Sequence, residues 1–216
     1  SGFIFGLETA SNMIKSGIYK KIIVIGVDTM SSILDYNDRN TCVLFGDGAG
    51  AAVLTRSDHN GQGILSTHLH SEGKHALELS LKGPSTNHWV PEIIAENPQG
   101  DDIPYYPYMN GQFVFKNAVV RFSEVINEGL QANGLDIKDI DMLIPHQANL
   151  RISQFIQQKF RLPDEKVYNN IQRYGNTTAA SIPIALTEAW EEGRIKHQVY
   201  KTIIAVRQIV KFIGCC

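Results

Sequence analysis

The segment from Asp141 to Ile152 places the strongest constraint on the fold, because its periodicity changes within a few residues. The apolar run 142–144 ends at Pro145 and His146, and apolar residues at helical spacing follow. That pattern predicts a strand, a turn and a helix. A second turn, YGNTTAAS, carries Asn176 and precedes another predicted helix. Because α/β folds place much of their chemistry at the ends of such elements, His146 and Asn176 are the first candidates for a functional site.

Apolar residues elsewhere in the chain recur at the spacings of helices and strands, with turn-forming residues between them. Repeats of three to four residues predict helices at 1–17, 110–133 and 179–192. β-branched runs and alternation predict strands at 21–27, 51–55 and 64–70. The first of these, KIIVIGV, is apolar almost throughout and is therefore predicted to be covered on both faces. Together these elements predict an α/β fold.

Two features resemble ligand sites, but their spacing argues against a nucleotide or a metal. Glycines at 46, 48 and 50 form a Gly-x-Gly-x-Gly run, yet the dinucleotide fingerprint opens a helix and this run opens a predicted strand. Tight turns and close packing explain these glycines better. Four histidines lie at spacings that fit no closed zinc site: His68, His70, His75 and His88. The sequence thus predicts no cofactor and no metal.

The overall composition excludes several classes of partner. The 216 residues carry a net charge of -2 with neutral histidines and no long run of one sign, which argues against nucleic acid or a membrane surface. Apolar runs fall well short of the roughly 20 residues that span a bilayer. Three cysteines, Cys42, Cys215 and Cys216, are too few and too poorly placed for a disulfide framework, which favours a cytoplasmic location.

Three motifs, LFGDGAGAAVL, PHQANLRI and GNTTAASIPIAL, occur in an order that resembles the 3-oxoacyl-(acyl-carrier-protein) synthase III enzymes of the thiolase superfamily. The resemblance extends from residue 1 to about Lys196. It implies a thiolase-like α/β/α/β/α fold, of which this chain would be the C-terminal two thirds. Residues 1–56 would end the N-terminal half, 57–110 would form connecting strands and an irregular loop, and 111–216 would form the C-terminal half.

The resemblance implies a condensing enzyme that initiates fatty-acid synthesis. An acyl-coenzyme A primer, acetyl-coenzyme A in the first instance, would condense with malonyl-acyl carrier protein in a decarboxylative Claisen reaction. The family's reactive cysteine would lie directly before Ser1, at the start of a helix whose free N–H groups favour a thiolate. His146 and Asn176 would be catalytic, each donating a hydrogen bond to the thioester oxygen of the enolate. The sequence does not identify the group that sets the histidine tautomer.

The resemblance also implies where partners bind. Arg151 offers a guanidinium suited to a phosphate or to the acidic surface of a carrier protein. Lys116 would lie near the entrance used by coenzyme A or the carrier protein. A homodimer is expected, as in the family. The predicted contact with acyl carrier protein consists of Gln147, Ala148, Asn149, Leu150 and Arg151.

The pattern departs from the family after about residue 197. The family's strand and glycine-rich turn are replaced by a stretch with no glycine before Gly214, followed by two adjacent cysteines. We therefore expect an atypical tail that arises from a frameshift or a fragmentary gene model, and no activity for the chain alone. Two alternatives stay open: a related Cys-His-Asn enzyme that primes a secondary metabolite, and a non-catalytic thiolase-fold partner that binds carrier protein.

Overall fold

The structure of the chain is a computed structural model that describes residues 2–57, 63–81 and 106–195, together with the backbone of 202–205. His88 and most of the irregular stretch lie outside the described residues. The helices are α1 (Gly2–Lys15), α2 (Gly111–Ala132), α3 (Leu150–Phe160), α4 (Ile171–Tyr174) and α5 (Ser181–Glu191). The strands are β1 (Lys21–Asp28), β2 (Gly48–Thr55), β3 (Leu79–Ser80), β4 (Tyr108–Met109), β5 (Met142–Pro145) and β6 (Thr202–Ala205).

β1 and β2 form an antiparallel sheet in which Lys21 pairs with Thr55 and Gly26 pairs with Gly50. One face of this sheet carries α1 and α5, and their apolar side chains form the first core with Val24. The glycines of the sheet lie on this face, where a side chain at Gly50 would meet Pro183 of α5. The predicted helix and strands are confirmed, and the prediction that the glycine run opens a strand is confirmed as well.

The opposite face of the β1–β2 sheet is exposed, so the prediction that β1 is covered on both faces is wrong for this structure. Ile23, Ile25, Val27 and Val53 point away from α1 and α5, and each is 57 to 65% exposed. The reason is that both helices pack against the same face, which leaves the alternate residues of each strand without a covering layer.

A second sheet joins β5 and β6 in parallel, with Met142 beside Thr202. All four residues of β5 are buried, because both faces of the strand are covered. Leu143 packs with α2 and α3, whereas Met142 and Ile144 pack with Ala185 and other residues of α5. Helix α5 therefore lies between the two sheets, and the described residues form four layers, sheet, helices, sheet and helices.

Helix α2 confirms the prediction over 110–133. Asn110 caps its first turn by accepting a hydrogen bond from the Phe113 N–H, and Gly134 follows its end with a φ of 62°. Its buried stripe includes Phe122 and Ile126, and burial of each such side chain contributes about 1.5–3 kcal/mol. The stripe belongs to the core and leaves no apolar face for a ligand.

The segment Ile64–His70 is not a strand, so that prediction is wrong. Ile64 and Leu69 pack against the α1 core, while His68 and His70 contact Glu128 of α2. The His70 Nε2 lies 2.6 Å from a Glu128 carboxylate oxygen. Side-chain contacts with both neighbours thus hold residues 64–70, which lack the backbone pairing that a strand requires.

The tail forms at least one regular element. Thr202–Ala205 pairs in parallel with β5 over its full length, so a strand of the kind expected in the family is present after residue 197. The remainder of the tail lies outside the described residues. Across the described part of the chain, no helix combines the length and the apolar character needed to cross a bilayer.

Candidate active site

The turn that carries Asn176 is held against the segment that precedes β2. The Asn176 N–H donates to the Leu44 carbonyl oxygen at 2.7 Å, and the Gly46 N–H donates to the Asn176 carbonyl oxygen at 3.1 Å. The two backbone segments approach so closely that a Cβ at Gly46 would lie 2.1 Å from the Tyr174 carbonyl oxygen. Two of the three sequence motifs therefore meet here, and the missing side chain of Gly46 is what allows the contact.

The side-chain amide of Asn176 has a fixed orientation. The Thr178 N–H lies 3.0 Å from Oδ1, and a backbone N–H can only donate, so Oδ1 is the acceptor. This bond leaves the Nδ2 amino group directed elsewhere, and it has no hydrogen bond within the described residues. Asn176 thus presents a hydrogen-bond donor.

His146 follows β5 directly and contacts the first residue of α5. Its Nδ1 lies 2.6 Å from the Ser181 Oγ, and the same hydroxyl donates to the Thr178 carbonyl oxygen at 2.9 Å. Burial disfavours the charged imidazolium and lowers the pKa of His146 to about 3, so the ring is neutral at pH 7. Nε2 is the ring nitrogen left for a ligand.

The residues 178–181 bring the two predicted catalytic residues together. Thr178 bonds to Asn176, and Ser181 bonds to His146. The Asp28 carboxylate, at the end of β1, accepts from the Ala179 N–H at 2.8 Å and fixes the turn from the other side. A Cβ at Gly2 would lie 3.7 Å from the Ala179 Cβ, so α1 begins beside the same turn. The amino-terminal end of a helix favours negative charge, which suits a nucleophile placed there.

A polar network anchors the chain just before Asn176. Glu188 of α5 accepts hydrogen bonds from Asn170 and Arg173, each at 2.7 Å, and from the Tyr174 hydroxyl. Burial raises the pKa of Glu188, but the bonds from Tyr174 and Asn170 outweigh burial and hold that pKa below its ordinary value. Burial also raises the pKa of Tyr168, at the same network, to about 12. Helix α4 is thereby tied to α5.

Gln147 does not have the exposed surface that its predicted contact with carrier protein requires. The residue is 3% exposed. Its Oε1 accepts from the N–H groups of Asn170 and Ile171, and its Nε2 donates to the carbonyl oxygens of Pro145 and Tyr168. These hydrogen bonds of the Gln147 side-chain amide are all made to the protein's own backbone, and they join the end of β5 to the start of α4.

The other residues of the predicted carrier-protein contact differ in exposure. Asn149 caps α3 by accepting from the Arg151 N–H at 2.9 Å, and Ala148 packs partly against the second core. Leu150 and Arg151 are exposed on the first turn of α3. Lys116 is exposed near the start of α2. Of the residues in these predicted contacts, Leu150, Arg151 and Lys116 are therefore the exposed ones, with Leu150 36% exposed.

The structure adds three residues that the motifs had not assigned to the site: Asp28, Thr178 and Ser181. Ser181 was visible as the last residue of YGNTTAAS, one helical turn after Thr178. Asp28 has no such signal, because its contact spans 151 positions of the chain.

Comparison with known proteins identifies two matching segments. Residues 1–73 match the family model for 3-oxoacyl-[acyl-carrier-protein (ACP)] synthase III, and residues 130–206 match the model for its C-terminal part. The second match passes Lys196 by ten residues, so the expectation that the resemblance ends there is wrong. The tail is typical of the family at least through β6.

Individual relatives agree with these matches. The chain is 48% identical to the beta-ketoacyl-[acyl-carrier-protein] synthase III of Alkalilimnicola ehrlichii, over 91% of this chain and 58% of that protein. Among solved structures, the 3-oxoacyl-[acyl-carrier-protein] synthase III of Aquifex aeolicus is 40% identical with a TM-score of 0.82, over 97% of this chain and 61% of that one. The corresponding protein of Thermus thermophilus is 38% identical with a TM-score of 0.83, over 94% and 60%.

The chain spans 58% of the length of the curated relative from Alkalilimnicola ehrlichii. Its architecture is the thiolase-like α/β fold, as the two solved structures show. Both family models fall on the segments that build the turns around His146 and Asn176, and together they cover more than half of the chain. The chain belongs to the 3-oxoacyl-[acyl-carrier-protein] synthase III family.

Proposed function

We propose that this protein condenses an acyl-coenzyme A primer, acetyl-coenzyme A in the first instance, with malonyl-acyl carrier protein to give a 3-oxoacyl product. The observation that carries the proposal is the placement of His146 and Asn176 around one turn, beside the start of α1. We further propose a cytoplasmic homodimer. The two thioesters are the only reactants, so the reaction needs no redox or metal cofactor.

The Asn176 amide supplies the electrostatic part of the mechanism. Loss of carbon dioxide breaks the bond to the malonyl carboxylate carbon, and the electron pair moves onto the thioester oxygen as an enolate. The Nδ2 group is held as a donor because Oδ1 is engaged by Thr178. A preorganised donor of this kind lowers the barrier by about 3 kcal/mol, because its dipole does not have to reorient during the reaction. The enolate carbon then attacks the carbonyl carbon of the primer's acyl thioester, so that a carbon–carbon bond forms while the acyl carbon–sulfur bond breaks and the thiolate leaves.

Removal of the Asn176 donor should reduce decarboxylation of malonyl-acyl carrier protein by about 100-fold, since the charge on the thioester oxygen loses its partner. The measurement is release of labelled carbon dioxide by the Asn176→Ala variant and by the unsubstituted protein, both produced at the length of the curated relatives because the 216-residue chain alone is expected to be inactive. Asn37→Ala is the matched control, because Asn37 is exposed and lies outside the segments 44–46 and 174–181 that form the turn and its contact. Equal rates for Asn176→Ala and the unsubstituted protein would remove Asn176 from the mechanism.

Assays of condensation and of carbon dioxide release also distinguish the proposed function from its two alternatives. Condensation with acetyl-coenzyme A supports initiation of fatty-acid synthesis, whereas turnover only with other acyl primers favours a related enzyme of secondary metabolism. Binding of malonyl-acyl carrier protein without carbon dioxide release favours a non-catalytic partner. Each outcome requires that folded protein be verified by circular dichroism in parallel.

Arg151 is proposed to contact the acidic carrier protein, since its guanidinium is exposed at the start of α3. Arg151→Glu should raise the KM for malonyl-acyl carrier protein by about 10-fold or more, because charge reversal replaces attraction by repulsion. The rate with malonyl-coenzyme A, which lacks the carrier protein, should stay unchanged. Lys159→Glu is the control: it makes the same change of charge on the same helix, in the last turn. Equal effects of the two reversals would show that only net charge matters.

A further inference from the structure

We propose that Gln147 is a positioning residue for the site: its buried side-chain amide holds Asn176 at a fixed place relative to His146. Gln147 follows His146 directly in the chain, and it acts on Asn176 through the short helix α4. The connection itself stands on hydrogen bonds between described residues, whereas its effect on catalysis rests on the proposed function.

The orientation of the Gln147 amide is determined by its four partners. Oε1 lies 3.0 Å from the Asn170 backbone nitrogen and 3.2 Å from that of Ile171, and backbone N–H groups can only donate. Nε2 lies 2.8 Å from the Pro145 carbonyl oxygen and 3.3 Å from that of Tyr168, and carbonyl oxygens can only accept. Exchange of the amide oxygen and nitrogen would place like groups against each other at all four contacts. One side chain thus binds both the end of β5 and the start of α4.

Burial makes these hydrogen bonds difficult to replace. Gln147 is 3% exposed and Asn170 is 2% exposed, so water does not offer either residue another partner. The N–H groups at the start of a helix have no acceptor within the helix, and Gln147 supplies one to two of them. Without the Gln147 amide these N–H groups would lose their acceptor, and α4 would have to move to find another.

Helix α4 transmits the position of Gln147 to Asn176 over a single turn. The Ile171 N–H donates to Gln147, and the Ile171 carbonyl oxygen accepts from the Gly175 N–H at 2.7 Å. Gly175 is the direct neighbour of Asn176. Two hydrogen bonds through one residue therefore join the residue after His146 to the residue before Asn176, and a shift of α4 displaces Asn176 with it.

The junction between α4 and Asn176 has little conformational freedom. Gly175 has a φ of 68°, and a Cβ there would lie 2.9 Å from the Leu44 carbonyl oxygen. The Asn176 N–H donates to the same carbonyl oxygen at 2.7 Å. The backbone after α4 is thus packed against the segment that precedes β2, and a movement of α4 cannot be absorbed by a loose linker.

Glu188 of α5 holds α4 from a second side. Its carboxylate accepts from the Asn170 side chain and from Arg173, each at 2.7 Å, and from the Tyr174 hydroxyl. Asn170 thus bonds to Gln147 through its backbone and to Glu188 through its side chain. The helix is therefore fixed between β5 and α5.

Gln147→Met keeps the length of the side chain but removes its polar atoms. In protein of the length of the curated relatives, this change should lower kcat for decarboxylation of malonyl-coenzyme A by about 10-fold, because a displaced donor stabilises the enolate less well. KM should change by less than about 2-fold, since that donor acts mainly in the transition state. Gln157→Met is the matched control: the Gln157 amide also joins two segments, by donating to Asp164, but lies outside residues 145–147 and 168–181.

Malonyl-acyl carrier protein as substrate separates positioning from the predicted contact between Gln147 and the carrier protein. Equal losses of kcat with both thioesters support positioning. A higher KM for malonyl-acyl carrier protein alone, or an unchanged kcat, would overturn the proposal. Circular dichroism gives the fraction of folded protein in parallel, so that each kcat refers to folded enzyme.

The position of Asn176 can also be followed without activity, by NMR of its side-chain amide in protein labelled with ¹⁵N. Asn176→Ala assigns the two amide proton signals by their loss. We expect Gln147→Met to move these signals and Gln157→Met to leave them in place. Unchanged signals in folded Gln147→Met would overturn the proposal, and this result is readable even if the unsubstituted protein releases no carbon dioxide and the proposed function fails.

A second variant tests the same connection if Gln147→Met does not fold. Glu188→Ala releases α4 from α5 and leaves the buried Gln147 amide in place. It should move the Asn176 amide signals as well, because α4 then has one anchor instead of two. Unchanged signals in folded Glu188→Ala would show that α4 does not position Asn176, and the proposal would be overturned.

Discussion

Replacement of Gly46 by alanine should lower the free energy of unfolding by about 3 kcal/mol, because the added Cβ has no space. It would lie 2.1 Å from the Tyr174 carbonyl oxygen, whereas ordinary contacts of a Cβ are 3.4–4 Å. The obstacle is backbone, which cannot rotate away as a side chain does. The segments 44–46 and 174–176 are joined by two backbone hydrogen bonds. Moving the two segments apart to make room for the Cβ would also weaken those bonds.

The prediction is checked by urea unfolding of Gly46→Ala, followed by circular dichroism. Gly73→Ala is the matched control, since a Cβ there meets no atom within 4 Å. It should change stability by no more than about 0.5 kcal/mol. A similar small effect of Gly46→Ala would show that the contact between the two motifs is loose. The position of Asn176 should change together with stability, so decarboxylation should also fall in Gly46→Ala.

Acidification from pH 7 to pH 4 should cost the protein about 3 kcal/mol through His146 alone. The pKa is about 3 in the folded protein and 6.5 for an unburied histidine, so the unfolded chain binds a proton that the native state does not. Each pH unit between these two pKa values removes about 1.4 kcal/mol from the free energy of unfolding. The contribution of the neutral His146 to the free energy of unfolding is fully present above pH 6.5, and it is lost progressively as the pH falls toward 3.

Other groups also titrate between pH 4 and pH 7. The contribution of His146 is therefore measured as the difference between the unsubstituted protein and a variant without the imidazole. The free energies of unfolding of the unsubstituted protein and of His146→Gln are compared at pH 7 and pH 4. Glutamine does not titrate, so the variant should lose about 3 kcal/mol less than the unsubstituted protein over the same interval. An equal loss in both proteins would mean that His146 is solvated and titrates at its ordinary pKa.

The sequence predicted the elements around the site well, because they follow from local patterns. The apolar run before His146 became β5, and the helical spacing after it became α3. These patterns depend on neighbours within about seven residues, which the sequence shows directly. The pairing of His146 and Asn176 came from the resemblance, and the structure brings their turns together through 178–181.

The failed predictions concern contacts between distant parts of the chain. The residue types of Ile64–His70 alternate like a strand, but the segment is held by side-chain contacts with the α1 core and with Glu128, which the sequence pattern does not reveal. β1 is apolar from Ile22 to Val27, but periodicity cannot tell how many layers cover a strand. Gln147 was assigned to the carrier-protein contact because the segment QANLR resembles that contact in the family. Its internal bonds to Asn170 and Tyr168 depend on folding of a later segment.

The position of α5 between the two sheets links the site to the cooperativity of the whole fold. Ile182 packs with the β1–β2 sheet, and Ala185 and Ala189 pack with β5. His146 extends from β5, while Asn176 is held beside β2, so neither residue can leave the other without disrupting the packing of α5. We therefore expect the amide hydrogens of β5 and α5, which carry this packing, to exchange with solvent mainly through global unfolding.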